Sequence, residues 1–440
     1  MEILTAKKEP NLSWEINSEA LAEIGEERKQ LNTLLANFLS NLEDGMLNYY
    51  GANKLYSKIE SLEEKIKKIN QEKGKFSNFE KIYLEDIKLT VNSARTFYKF
   101  FRGKEKQEIR IYQLLNAIYD QYVYEYLKGV YRDVLKDKNF YNTNIFLREL
   151  NARRIPSDLI MGRIKNHLVE IASLIEEFGN DLGALKGIEV IPCPDTDDIS
   201  LLKRKSPFNK IYLLASKPYA PETFWDCATF IMQLDPNKIY FYEDRNKNVI
   251  AFDLIWQLFA AHELGHALLQ FNSEKMPEDL RYSISDDHLL RDCVHEGVGI
   301  QTELSYIHWC RRKKKLSKKK FSLMKNLFNY FINSLSGDVV YNLYRHESKD
   351  FSKEFPEIKN VVFFFKEEPF IETLEKINTL VGYKFTRDIF EMAKKKYGKD
   401  FVKKNEGIIL GGLSIGLFRP KTKVRFIFEE YLPRMSEFLN

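Results

Sequence analysis

His262, Glu263 and His266 stand in the order H-E-x-x-H within Phe259-Ala-Ala-His-Glu-Leu-Gly-His-Ala-Leu-Leu-Gln270. On a helix the two histidines share a face one turn apart, so both imidazoles reach a single ion. Glu263 then lies beside them, placed to hold a water at the metal and take its proton. Leu254, Ile255, Leu258 and Phe259 before the motif, with Leu264, Ala267 and Leu268 in and after it, bury such a helix and leave a polar stripe on a cleft. The bland reading of the same residues is a core helix whose histidines are only hydrogen-bonded.

A catalytic zinc takes three protein ligands and keeps one position open. Gln270 to Asn272 stand where a metzincin would continue toward its third histidine. The next candidate segment is Arg291-Asp-Cys-Val-His-Glu-Gly-Val-Gly-Ile-Gln-Thr-Glu303. A second helix here, antiparallel to the first, brings a glutamate to the site, and Gly297 and Gly299 allow the two helices to come close. Glu296 is the chosen third ligand. His295 is its rival, pointing about 100° away on the helix, and suits a contact with substrate or with a ligand. Cys293 reads as core filler.

His262-Glu-Leu-Gly-His266 followed by His295-Glu-Gly-Val-Gly299 resembles the paired signature of the mostly helical gluzincin peptidases. These include the angiotensin-converting-enzyme, thimet-oligopeptidase and Taq-carboxypeptidase families. The resemblance covers the stretch from His262 to Glu303. It implies one zinc ion held by His262, His266 and Glu296, with Glu263 as general base and acid. Many gluzincins carry an aspartate four residues after the third ligand to orient a histidine, and here that position is Ile300. Asp292 and Glu303 are the available substitutes. The resemblance also implies that the span from Met276 to Asp287 is an extra loop over the site.

The implied reaction is hydrolysis of a peptide bond by metal-activated water, with a further donor for the developing oxyanion. Tyr341 and Tyr344 are the expected donors, in a cluster with Arg345 and His346; Tyr383 is a further possibility. A strand from Lys238 to Tyr242 precedes the metal helix, and by the same resemblance it binds an extended peptide along its backbone. Short peptides are the expected substrates. The alternatives are a metal-dependent hydrolase of a non-peptide substrate, or a non-catalytic zinc-containing interaction protein; the presence of Glu263 weighs against the latter.

The elements around the site divide the chain into a helical region, 1–180, and a catalytic region, 181–440. From Ser18 to about Leu150 apolar residues recur every three or four positions, as in Leu21, Ile24, Leu31, Leu34, Leu35 and Leu39. Breaks near Gly45 to Gly51, Gly74 to Asn78 and Arg102 to Lys106 suggest helical hairpins, which serve either as packing or as a lid over the cleft. Another helix spans Arg154 to Phe178. Strands are expected at Gly187 to Pro192, Lys210 to Leu214 and Lys238 to Tyr242, forming a small sheet. Helix returns from Asp253 to Tyr344 and near Arg387 to Tyr397, with strand-like runs at Val361 to Phe365 and Val424 to Phe428. The fold class is mainly α, of the α+β kind.

Composition agrees with a soluble chain that buries a core, at 44% hydrophobic and 30% charged residues. A net charge of +5 over 440 residues argues against a nucleic-acid binder. The basic run Arg311 to Lys320 reads as a solvated loop or helix end, with binding to nucleic acid or an acidic partner as the alternative. Cys193, Cys227, Cys293 and Cys310 lie far apart, which suits reduced thiols in the cytoplasm. No signal peptide is visible, and no apolar run approaches the roughly 20 residues that cross a bilayer. The expectation is a cytoplasmic protein with peptide substrates and no nucleic-acid or membrane partner. Its oligomeric state is not legible.

Overall fold

A computed structural model describes residues 14–43, 49–71, 73–102, 157–182, 189–192, 210–213, 225–226, 229–232, 250–273, 276–280, 289–346, 370–415 and 419–439. The described chain is mainly α. Three helices, α1 (Glu19–Glu43), α2 (Tyr49–Asn70) and α3 (Asn78–Arg102), pack on one another. Their shared core holds Leu21, Ile24, Leu31, Ile59, Leu62, Ile82 and Ile87, all fully buried, as the three-and-four spacing requires. The expected breaks after Gly45 and around Gly74 separate these helices; the rest of the series, to Leu150, lies outside the described residues.

The start of α3 is a reciprocal cap. Ser77 N–H donates to Glu80 Oε2 at 2.9 Å, and Glu80 N–H donates to Ser77 Oγ at 3.2 Å. The same carboxylate accepts from the Asn17 and Ser18 N–H groups just ahead of α1, at 2.9 and 3.2 Å. One buried glutamate thus ties two helix N-termini together.

Helix α4 spans Ser157–Leu182. Four short strands follow: β1 (Glu189–Pro192), β2 (Lys210–Leu213), β3 (Trp225–Asp226) and β4 (Thr229–Met232). They pair in the order β1-β2-β4-β3, parallel except for β3 with β4. The Lys238 to Tyr242 segment lies outside the described residues, so the sheet expected at the cleft edge is not established by these four.

The chemistry-bearing helices are α5 (Ile250–Ser273) and α6 (Leu289–Arg312). Helix α7 spans Lys318–His346 and α8 spans Phe370–Tyr397, considerably more than the Arg387 to Tyr397 stretch expected. Shorter helices follow: α9 (Lys399–Lys404), α10 (Glu406–Ser414), α11 (Pro420–Arg425), a π-helical turn (Phe426–Tyr431) and α12 (Leu432–Leu439). The strand expected at Val424 to Phe428 is therefore wrong, because burial decides the conformation there. Phe426 and Ile427 are fully buried, and Phe426 packs edge-on against Trp14 at 4.9 Å. Tertiary packing overrides the β preference of the local sequence. Val361 to Phe365 lies outside the described residues. No helix among the described residues is long and apolar enough to cross a membrane.

Arg28 on α1 joins distant parts of the chain. It is ion-paired with Asp86 of α3 and with Asp279, in the 3-10 turn Glu278–Leu280 between α5 and α6, and all three side chains are buried. Asp86 also accepts from the Arg419 N–H at 2.7 Å and from the Thr422 hydroxyl. The described part of the loop expected over the site is thereby anchored to α1, with Met276 and Leu280 buried; residues 281–287 lie outside the described set.

The basic run is in part a clamp rather than a wholly free charged face. Arg312 reaches Glu406 at 3.3 Å, Lys313 reaches Asp181 at 2.9 Å, and Lys315 reaches Glu177 at 2.7 Å. These pairs fasten the end of α6 to α4 and α10.

Candidate metal centre

Helices α5 and α6 pack antiparallel, since Gly265 meets Gly299 while His262, one turn earlier, meets Glu303. Their approach depends on missing side chains. A Cβ on Gly265 would lie 2.8 Å from the Gly299 Cα, and one on Gly299 would lie 2.7 Å from His262 Cε1. Gly297 serves a different contact from the one expected. A Cβ there would fall 2.4 Å from the backbone of Gly382 on α8. The two glycines point to opposite sides of α6, which is sandwiched between α5 and α8.

The sandwich brings His262, His266 and Glu296 together, with one ligand atom from each within 4.8 Å of the others. His262 Nε2 stands 3.4 Å from Glu296 Oε2, and His266 Nε2 stands 3.7 Å from Glu296 Oε1. Tetrahedral zinc with ligand bonds of about 2.0–2.2 Å has donors about 3.3–3.5 Å apart. The donor set fits such an ion in both spacing and chemistry.

Second contacts set the rings. His262 Nδ1 lies 2.7 Å from Glu303 Oε1, so of the two expected orienting groups Glu303 holds this position. Ile300 is simply buried. His295 lies flat on His266, with ring centroids 3.6 Å apart and planes 14° from parallel. It sits beside the ligand group rather than in it. The side chains of Asp292 and Cys293 lie outside the described residues.

Electrostatics follow from burial among carboxylates. Burial opposes protonation of His262, but Glu296 and Glu303 outweigh it and hold the ring well above the usual histidine range. Burial, with His295 and His262 adding to it, pushes His266 well down. Glu296 is only partly buried, and against the upward push of desolvation His262, His295 and His266 hold it far below the carboxylate range, so it stays ionised. Glu263 goes the other way. Burial raises it to about 7, against the pull of His262 and with help from Glu296 and Glu303. Its Oε2 is shielded from solvent and meets no hydrogen-bond donor among the described residues.

The side chains of Tyr341, Tyr344, Arg345 and His346 lie outside the described residues, although the backbone of α7 extends through them. Tyr383 is described. It follows Gly382, the contact of Gly297, and is buried; burial raises its hydroxyl against the pull of Arg387, with the Glu303 charge adding a little. Arg387 lies over its ring at 5.6 Å, and Phe328 of α7 packs on its edge. Phe259, expected in the core, is 37% exposed, as is Phe331 of α7, with ring centroids 5.9 Å apart. Phe259 lies one turn before Glu263 on the same face; its spacing from Glu263 was the available signal. No protein-family model, curated protein or solved structure matches the chain.

Proposed function

We propose that the protein is a zinc-dependent peptidase of the gluzincin type. The observation that carries this reading is the unpartnered Oε2 of Glu263 beside the His262, His266 and Glu296 donor set. A purely structural site has no use for a buried carboxyl group without a partner next to its ligands, whereas a general base requires one. Two imidazoles and a carboxylate suit zinc. When bound, zinc would supply a Lewis acid and lower the pKa of a water molecule.

The chain's own groups do the rest. Glu263 takes the proton of the attacking water and returns it to the leaving amine. Glu303 fixes His262 through Nδ1, leaving Nε2 for the metal. Tyr383 feels the Glu303 charge, and it joins Tyr341 and Tyr344 as a candidate oxyanion donor. The exposed Phe259–Phe331 pair supplies an apolar wall beside Glu263, which supports a peptide substrate with a large apolar side chain near the scissile bond.

The test compares wild type with Glu263→Gln for bound zinc and for cleavage of a quenched peptide library. Both should hold one zinc per chain, and the variant should cleave about 10²–10⁴ times more slowly. A zinc-loaded wild type that cleaves no peptide, or an equally active variant, would overturn the reading.

A further inference from the structure

Behind α5, away from the metal ligands, a cavity of about 410 Å³ opens between α4, α5, α6 and the turn into α7. Its α5 residue Gln257 stands about 140° around the helix from His262, so this space is separate from the metal face. The volume falls in the range of small-molecule sites. Aliphatic side chains of Ile171, Leu174, Leu254 and Leu316 supply one apolar side of a wall whose remaining exposed surface is polar. Tyr306 and Cys310 complete it and hydrogen-bond to each other, so they place no demand on a ligand.

Two polar groups do make a demand. Gln257 Oε1 is closed off from solvent and meets no donor among the described residues. A buried acceptor left this way is costly, and a ligand O–H or N–H would relieve it. At the mouth, Lys315 is occupied by Glu177, but Lys320 has no ion-pair partner among the described residues. Lys320 belongs to the basic run, of which Arg312, Lys313 and Lys315 serve the helix clamp. Glu170 also lines the mouth, so a negative ligand end is directed to the Lys320 side.

We propose that this cavity binds an anionic amphiphile, an aliphatic carboxylate of medium length whose chain lies among Leu174, Leu254 and Leu316 and whose charged end meets Lys320. A hydroxyl on the chain would add a hydrogen bond to Gln257. The inference does not depend on the peptidase reading, because no metal-site residue lines the cavity.

Decanoate titrated into the full-length protein by calorimetry tests it. One saturable site is expected, with Kd on the order of 10 μM from chain burial offset by ordering costs. Leu174→Trp, which fills the cavity, should abolish the heat. Lys320→Glu, at an exposed position that leaves packing untouched, should weaken binding about tenfold. 10-Hydroxydecanoate should bind several-fold tighter than decanoate in wild type but not in Gln257→Leu. The proposal is overturned if wild type shows no saturable binding, if Lys320→Glu binds as wild type does, or if decylamine binds better than decanoate.

Discussion

The His262 ring is gripped by two carboxylates of the same helix, Glu303 on Nδ1 at 2.7 Å and Glu296 facing Nε2 at 3.4 Å. The first contact leaves the second nitrogen free to serve as a metal ligand, and it fixes the plane of the ring. Removing it while leaving both ligand histidines in place, as in Glu303→Ala, should lower zinc affinity by about 10–100-fold. Competition against a chelator measures this. Unchanged affinity would mean that Glu303 plays no orienting part.

Gly299 and Gly297 should fail differently. In Gly299→Ala the new methyl group meets the His262 ring, so zinc affinity should fall together with stability. In Gly297→Ala it meets the backbone of Gly382, which cannot rotate aside. Overpacking of this kind costs about 1–3 kcal/mol, and the loss should appear in thermal melts of metal-free protein. Metal-free melts of both variants, followed by zinc titration, separate the two effects.

Arg28→Met would leave Asp86 and Asp279 buried without their cation. The expected loss is about 3–5 kcal/mol in urea unfolding. Adding Asp279→Leu should recover part of it, since one stranded charge is then gone. A single variant as stable as wild type would show that the network contributes only arrangement.

Glu80 gives the protein an acid-sensitive joint. Burial pushes its carboxyl up, but the hydrogen bonds from Ser77, Asn17 and Ser18 outweigh this and hold it below the ordinary value of 4.5. A depressed carboxylate contributes stability above its unfolded pKa and loses it as pH falls through the folded one. Glu80→Gln should therefore cost about 1–2 kcal/mol near neutrality, and the gap to wild type should close below pH 4.5. Stability curves of both proteins from neutral to acid pH check this; a gap independent of pH would contradict it.

The sequence made the local parts of the candidate site readable. His262, Glu263 and His266 obey helical spacing, and Glu296 lies where two glycines flag a close approach. What could not be read was which neighbour each glycine meets. Gly297 turns to α8, and nothing in its own surroundings distinguishes that from α5. Tyr383 is one tyrosine among 24, and only the contact between Gly297 and Gly382 brings it near the site. At Val424 to Phe428 the strand-like pattern misled because aromatic and β-branched residues also fill buried helical turns. Arg28 and Asp279 gave no signal, since ion pairs across 251 positions leave no periodicity.

Arg28, Asp86 and Asp279 are made early and midway in synthesis, but the Arg419 amide and Thr422 hydroxyl that complete the Asp86 contacts are translated well after both ligand helices. A nascent chain can therefore form the H-E-x-x-H helix, and even its partner, before the span joining them is fully fastened. The buried contacts that anchor this span are complete only with a late segment in place, so on a growing polypeptide they close late in translation or after it.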